Sequence, residues 1–343
     1  MSTKPKRFYQ DWFLRGMVAM VITASFLPDL GKSGGLLHID SVTNYGIAAV
    51  FFLHGMGIPS EQIRAGLARW KLHLLVQGFT FVVFPLLWLL LHGVFKNALP
   101  PMLMLGFFYL CALPSTISSS VAMTGLARGN VPAAIFNATL SSLLGIFLTP
   151  LLVSLEAGST GQHLDFGAAV VNIAGLLLLP FVIGQLLHPR LGKWFARYKK
   201  YTNVFDKVVI LLLVFGSFCD SVKAGLWTNY GPSMLVEALG GAALVLGIVL
   251  TLTTLAARAL KFPIEDEIVA VFCGSKKTLA AGVPMAKVLF GAMPGLGIIV
   301  LPIMFYHQLQ LMVCTTLAAK YGARPQDKAD THSVPAVAST KDR

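Results

Sequence analysis

Two adjacent lysines, Lys276 and Lys277, lie in the middle of an otherwise apolar stretch from Ile268 to Gly291. A lysine amine in such surroundings can pair with an anionic ligand, rest as an ammonium among hydroxyl and backbone oxygens, or cycle a proton. If the stretch crosses a bilayer, an ammonium at its centre costs about 2.5 to 3.5 kcal/mol, so something must offset it. Neighbouring residues of a helix point about 100° apart, so we expect at most one lysine to face a cavity.

A second polar cluster, from Pro114 to Ser120, interrupts the apolar stretch between Pro100 and Ala127. Hydroxyl groups and unwound backbone at such a break can bind ions or charged ligand groups. Small-residue helix packing is the alternative reading of the serine run. A serine nucleophile with Lys276 as its base would instead make an intramembrane hydrolase.

Polar residues and one glycine from five apolar stretches form the predicted substrate and ion site. Hydrogen bonding from helix to helix is the alternative role for those outside the two breaks. The predicted residues are Gln77, Ser115, Thr116, Ser118, Ser119, Ser120, Asn137, Ser141, Gly274, Ser275, Lys276, Lys277, Thr278 and His307.

Long apolar runs must position these residues. The chain has 343 residues, of which 55% are hydrophobic and 12% charged, about half the charged share of an ordinary soluble domain. The runs are about 20 residues long, the length that crosses a bilayer as a helix, and most lack the two-residue alternation of a transmembrane strand. Ten spans are predicted: 12–30, 42–58, 72–92, 100–127, 131–155, 166–187, 204–222, 234–257, 268–291 and 296–318.

The distribution of positive charge predicts the orientation. With both termini in the cytoplasm, 21 of the 27 lysines and arginines fall on the cytoplasmic side and four outside; the other two are Lys276 and Lys277. The basic run from Arg190 to Lys200 is then a cytoplasmic loop, and the net charge of +12 does not imply a nucleic-acid partner. The four cysteines occur singly, which favours neither a disulfide framework nor a metal site.

Ten spans divide into two sets of five, and an odd number per set inverts the second relative to the first. The interrupted fourth and ninth spans then occupy corresponding positions, as in the inverted repeats of secondary transporters. The predicted all-α membrane protein has two inverted five-helix repeats with broken fourth and ninth helices. Its segments are a cytoplasmic N-terminus (1–11), the first repeat (12–155), an external loop (156–165), the second repeat (166–319) and a disordered cytoplasmic tail (320–343).

Three segments resemble the bile acid:sodium symporter superfamily, and within it the sodium/bile acid symporter-like branch, whose eukaryotic members are linked to cellular calcium regulation. The resemblance covers about residues 10 to 320 and implies a panel domain, a core domain, and an ion and substrate site where the broken helices cross. The segments are Leu113–Asn130 (LPSTISSSVAMTGLARGN), Asn137–Pro150 (NATLSSLLGIFLTP) and Cys273–Ala280 (CGSKKTLA).

The sodium site of the bile-acid branch is not reproduced in this chain. That pattern has Ser-Asn in the fourth helix, Ser and Thr in the fifth, and Glu followed four residues later by Gln in the ninth. The corresponding residues here are Ser120 and Val121, Ala134 and Ala138, and Val271 and Ser275. Only Ser120 is retained, so the expected coupling ion is open between sodium and proton, and Lys276 or Lys277 is a candidate fixed cation.

These observations favour a secondary transporter of an organic, anionic solute rather than an enzyme. A membrane regulatory protein of calcium or envelope homeostasis, without net transport, is the alternative suggested by the resemblance. The expected partners are a small solute and membrane lipid, with no cofactor and no nucleic acid. The expected location is a bacterial inner membrane, and no feature of the sequence indicates an oligomeric state or the identity of the solute.

Overall fold

Helices account for nearly all of the described chain, and no β-strand occurs within it. The computed structural model describes residues 12–35, 37–57, 69–159, 166–225, 231, 233–291, 293 and 295–324. The predicted N-terminal segment 1–11, most of the predicted loop 156–165 and the predicted tail beyond residue 324 lie outside these residues.

Fourteen α-helices and two π-helical segments lie in the described residues. The π-helical segments are Phe79–Val83, between α4 and α5, and Ala174–Leu178, between α9 and α10. The α-helices are α1 Trp12–Phe26, α2 Pro28–Gly31, α3 Ile39–Met56, α4 Trp70–Gly78, α5 Phe84–Phe95, α6 Pro101–Ala112, α7 Ser118–Leu126, α8 Val131–Ser159, α9 Phe166–Ile173, α10 Leu179–Lys223, α11 Ser233–Ala259, α12 Ile264–Gly274, α13 Leu279–Phe290 and α14 Leu296–Gly322.

Seven helical stretches of the described chain are long and apolar enough to cross a membrane, and α6 and most of α1 form shorter apolar helices. Large apolar side chains such as Leu90, Leu186 and Val236 are largely exposed on the outside. Such a surface is suited to lipid. The prediction of a multi-pass membrane protein is confirmed at this level. The seven stretches are 70–95, 131–156, 170–192, 201–223, 233–259, 264–290 and 296–322.

Both predicted breaks are present. The helix ends at Ala112 and resumes at Ser118 in the first, and ends at Gly274 and resumes at Leu279 in the second. The second broken stretch is the more enclosed, with most of α12 and α13 buried. A break in so enclosed a position exposes its backbone groups to protein rather than to lipid, as the physics of the bilayer requires.

The predicted loop from Arg190 to Lys200 is wrong in conformation, because α10 continues through it from Leu179 to Lys223. This helix is not straight. Gly184 and Val209 would lie about 37 Å apart in a straight helix, yet both contact α3, at Phe52 and Gly46, which are only about 9 Å apart along α3. The helix therefore bends between them, in the region that contains Pro189, a residue that removes a helical hydrogen bond.

The helices form two packed groups, which contact each other where α10 packs against α13 and α14. In one, α1 and α3 both pack along α10. In the other, α14 packs against α6, α11 and α13, and α12 packs against α4, α7, α8 and α11. The two breaks belong to the second group, and they face the first.

Candidate functional site

The two breaks contact each other through their backbones. Ser115 Oγ donates to the carbonyl of Cys273 at 2.6 Å, and Ser120 Oγ donates to that of Phe272 at 3.1 Å. In return, Thr278 N donates to the carbonyl of Pro114 at 3.0 Å. The last carbonyls of a helix have no partner within it. The two serine hydroxyls therefore satisfy carbonyls that the break after α12 leaves without a helical partner.

Lys277 satisfies one carbonyl in the last turn of α6 and one just after the helix end. Its Nζ donates to the carbonyls of Cys111 and Leu113, both at 2.7 Å. Between them, the carbonyl of Ala112 accepts from Thr149 Oγ1 at 2.8 Å. Ser115 N, which would bond the carbonyl of Cys111 in a continuous helix, donates instead to Ser141 Oγ at 2.9 Å. The break after α6 therefore frees two carbonyls, and Lys277 binds both.

The third partner of Lys277 Nζ is the carbonyl of Thr80, at 2.8 Å, in the π-helical segment. The backbone N–H of Phe84 donates to Phe79, five residues back, and not to Thr80. Pro85 has no N–H with which to replace it. The π turn and the proline together leave the carbonyl of Thr80 without a backbone partner, and the lysine supplies one.

Neither lysine lines the cavities that the structure describes at the breaks. Both are fully buried, and Lys277 Nζ lies 3.9 Å from the centre of the Phe84 ring. Lys276 Nζ donates to the carbonyl of Ser119 at 3.0 Å and lies over the Phe272 ring. Of the three possibilities raised by the sequence, the geometry favours an ammonium among backbone oxygens. No hydrogen bond in the described chain joins either Nζ to a serine hydroxyl, which removes the support for the hydrolase alternative.

The backbone of the second break is held by α14. Gln310 accepts from Lys277 N at 2.9 Å and donates to Lys277 O at 2.8 Å. Tyr306 OH donates to Ser275 O at 2.6 Å. Gln310 Nε2 also lies 3.0 Å from His307 Nδ1, which ties the break to a histidine on the cavity wall. Sequence reasoning gave Tyr306 no role, because one aromatic residue in an apolar span carries no polar signal.

A cavity of about 400 Å³ lies between the two packed groups of helices, directly at both breaks. Thr116 to Ser119 form one part of its wall, and Thr278 to Ala281 another. The N-termini of α7 and α13, at Ser118 and Leu279, therefore reach the same cavity. Thr278 Oγ1 caps α13 by accepting from Ala281 N at 3.3 Å. Each helix N-terminus carries a partial positive charge and unpaired N–H groups, so the two together favour an anion.

The opposite wall comes from α1, α3 and α10. Its apolar part consists of Phe13, Phe51, Phe181 and Ile210. Its polar part consists of His54, Asp206 and Lys207. His54 Nε2 lies 3.5 Å from Asp206 Oδ2, and both residues also line a neighbouring cavity of about 580 Å³. The sequence showed His54 and Asp206 only as isolated polar residues, since no spacing pattern links positions on α3 and α10.

The predicted site residues divide into two sets. Those that line the 400 Å³ cavity are Thr116, Ser118, Ser119, Thr278 and His307. The others hold the breaks or neighbouring helices in place behind it: Gln77, Ser115, Ser120, Asn137, Ser141, Gly274, Ser275, Lys276 and Lys277.

Gln77 and Asn137 belong to a helix contact away from the cavity. Gln77 Nε2 donates to the carbonyl of Asn137 at 3.1 Å, and Asn137 Nδ2 donates to the carbonyl of Ala133 at 3.0 Å. Ser141 anchors the first break as the acceptor for Ser115 N. A Cβ added at Gly274 would lie 3.2 Å from Thr253, so this glycine permits close packing of α12 on α11.

The positions that correspond to sodium ligands in the bile-acid branch contain little that could bind an ion. Ala134, Ala138 and Val271 are buried and apolar. The hydroxyls of Ser120 and Ser275 both donate to helix carbonyls, of Phe272 and Val271. Among the described residues, no three His, Cys, Asp or Glu side chains cluster as metal ligands.

Comparison with known proteins identifies the family of this chain. Residues 11–323 match the model of the SBF-like CPA transporter family. An uncharacterized protein of Pseudomonas aeruginosa is 47% identical over 94% of this chain and 96% of its own length. "Putative symporter YfeH" of Escherichia coli is 42% identical over 91% of this chain and 92% of its own. Sodium/bile acid cotransporter 7 of Danio rerio is 30% identical over 91% and 93%. The chain belongs to the SBF-like CPA transporter family, a family of transporters rather than enzymes.

Proposed function

We propose that this protein is a secondary active transporter that carries an organic anion across the membrane by alternating access. The observation that carries the proposal is the meeting of two helix N-termini, of α7 and α13, at one cavity. Their dipoles and N–H groups favour a negatively charged group of the solute without the need for a buried lysine contact.

The rest of the cavity supports an organic rather than an inorganic anion. Its volume of about 400 Å³ falls within the range of small-molecule sites. Phe13, Phe51 and Phe181 offer an apolar surface to a carbon skeleton, opposite the helix ends. Since the cavity lies between two packed groups of helices, movement of one group relative to the other would open it to alternate sides.

The proposed architecture has ten transmembrane helices in two inverted five-helix repeats. The position of α6–α7 in the first repeat corresponds to that of α12–α13 in the second, which supports the inverted arrangement. The excess of lysine and arginine between alternate pairs of predicted spans supports cytoplasmic termini, and the bacterial relatives support an inner-membrane location. Membrane lipid is then the second partner besides the solute.

A thermal-shift screen of the purified protein against small organic anions tests the proposal. An anion at about 100 times its dissociation constant should stabilise the folded protein by about 2.7 kcal/mol. The screen, repeated with and without sodium and across pH, distinguishes the two candidate coupling ions. A sodium-coupled carrier binds the anion more tightly with sodium, whereas a proton-coupled carrier binds it more tightly at lower pH.

Two matched variants at Ser118, whose side chain is exposed in the cavity, test the site itself. We expect Ser118→Asp to abolish the thermal shift, because its carboxylate occupies the N-terminus of α7 and repels the solute. Ser118→Asn has a similar shape without the charge and should retain most of the shift. Equal shifts in the two variants would contradict the proposed anion site.

A further inference from the structure

We propose that the carbonyl cage, formed by the oxygens of Thr80, Cys111 and Leu113 with the face of Phe84, is a monovalent-cation site permanently occupied by the ammonium of Lys277. The consequence for coupling, that solute binding needs no sodium at this position, rests on the proposed transport function. The cage itself does not.

The hydrogen-bond count favours a charged amine. Three carbonyl oxygens lie 2.7 to 2.8 Å from Lys277 Nζ, and a carbonyl can only accept. An ammonium has three N–H donors, one for each oxygen. A neutral amine has two, so its lone pair would face the third oxygen at hydrogen-bond distance. The observed distances therefore fit the cation.

The surroundings compensate the charge without a carboxylate. Lys277 makes no salt bridge in the described chain, although it is fully buried. The C-terminal end of α6, which carries a partial negative charge, supplies the carbonyl of Cys111 and is followed by that of Leu113. The negative face of the Phe84 ring lies on the fourth side, 3.9 Å away.

Two separate local features create the cage, which is why we regard it as a site rather than an accidental contact. The π turn with Pro85 frees the carbonyl of Thr80, and the break after α6 frees those of Cys111 and Leu113. All three oxygens point at one centre. Without a cation, their partial negative charges would oppose one another in a buried space, which is costly.

Chemical rescue of Lys277→Ala tests the cage without any solute. The substitution removes a three-carbon chain and its ammonium, and n-propylammonium has the same composition. We expect the melting temperature of the purified variant to fall, and n-propylammonium to restore more than about half of the loss in a saturable manner. The neutral 1-propanol and the donor-free tetramethylammonium ion should restore little.

Lys276→Ala is the matched control, because among the described residues the ammonium of Lys276 donates to a single carbonyl, that of Ser119. We expect n-propylammonium to raise its melting temperature far less. Equal rescue of both variants, or equal rescue by 1-propanol, would overturn the proposal, since the amine would then be filling an apolar void.

Lys277→Met provides a second measurement if Lys277→Ala does not fold. Methionine retains most of the apolar chain and leaves the position of Nζ open. We expect this variant to be less stable than the natural protein and to gain stability from ammonium or potassium chloride, but not from tetramethylammonium chloride. A variant as stable as the natural protein, and indifferent to these cations, would falsify the cage.

The anion site and the carbonyl cage are tested by independent experiments. A screen in which no anion binds leaves the rescue result intact, and absence of rescue leaves the anion site intact. If the cage replaces a coupling sodium, anion binding to the natural protein changes little between sodium and choline chloride. A large sodium dependence would contradict that consequence.

Discussion

At the scale of single residues, the backbone of Lys277 depends on one side chain, Gln310. The amide accepts from Lys277 N and donates to Lys277 O, and Gln310 is fully buried. An unpaired buried backbone group costs about 1 to 3 kcal/mol of stability. Removal of the Gln310 amide leaves two such groups unpaired, the N–H and the carbonyl of Lys277. The position of the lysine along the break is therefore set from α14.

We expect Gln310→Leu to lower the stability of the protein by about 2 kcal/mol or more, because two buried backbone groups lose their partner. The melting temperature of the purified protein is the measurement. Gln308→Leu is the matched control, since Gln308 is also buried on α14 and, within the described part of the chain, donates to nothing stronger than the weak acceptor Met17 Sδ. Equal losses in the two variants would show that Gln310 has no special role.

The sequence was sufficient to locate the two breaks, but not to predict which atoms the lysine side chains bind. Pro114 with the serine run, and Gly274 with the lysine pair, mark both interruptions by residue type alone. The partners of Lys277 Nζ are carbonyl oxygens, which every residue possesses, so no residue type reveals them. Because both lysine amines are bonded to such carbonyls, the cavity is lined by the predicted residues Thr116, Ser118, Ser119, Thr278 and His307 but by neither lysine.

At the scale of helices, α3 and α10 are held together by a close crossing of backbones. A Cβ added at Gly184 would overlap the carbonyl oxygen of Phe52, and one added at Gly55 would overlap that of Phe181. Small residues permit such approach in membranes, where packing rather than water drives helix association. Phe51, His54 and Phe181 lie near this crossing and line the cavity, so the crossing positions one of its walls.

We expect Gly184→Ala to destabilise the protein by about 1 to 3 kcal/mol, because the methyl group forces α3 and α10 apart. Gly247→Ala is the control, since Gly247 on α11 has open space around its Cα and the substitution there should be neutral or slightly stabilising. Melting temperatures in the same detergent make the comparison. A neutral Gly184→Ala would mean that the crossing is loose.

The sequence did not predict that α10 continues as a helix through its bend. The apolar runs on either side were found, because span length is a property of composition. The connection between them was predicted as a loop, since Arg190, Arg197 and other basic residues suit water. Basic residues are also good helix formers, and lysine and arginine alone do not distinguish a helix from a loop.

At the scale of the whole molecule, charge and apolar surface are separated. Large apolar side chains are exposed along the helices, whereas many acids and bases lie near helix ends, as in the Asp29 pairs with Lys32 and Lys223. The basic run from Arg190 to Lys200 is an exception within α10, and it follows Pro189 in the bent region. Where α11 ends and α12 begins, Arg258 pairs with Glu267 at 3.1 Å. This separation matches a protein whose middle contacts lipid and whose ends contact water.

Reporter fusions test the proposed orientation. We expect a green fluorescent protein at the C-terminus to fluoresce and alkaline phosphatase at the same place to be inactive, because both termini are proposed to be cytoplasmic. Alkaline phosphatase fused after Gly231, between α10 and α11, should be active. The reverse pattern would contradict the proposed orientation.

The ammonium of Lys277 also has an electrical consequence. A charge fixed to the chain cannot leave with the solute, so a carrier that releases a monovalent anion returns with one more positive charge at its centre than when it is loaded. A membrane potential of 100 mV acts on a full elementary charge with about 2.3 kcal/mol. If the lysine moves through part of that field, voltage acts on the return of the empty carrier, and the loaded step is nearly electroneutral. Current recorded from reconstituted protein should then depend on voltage through the return step.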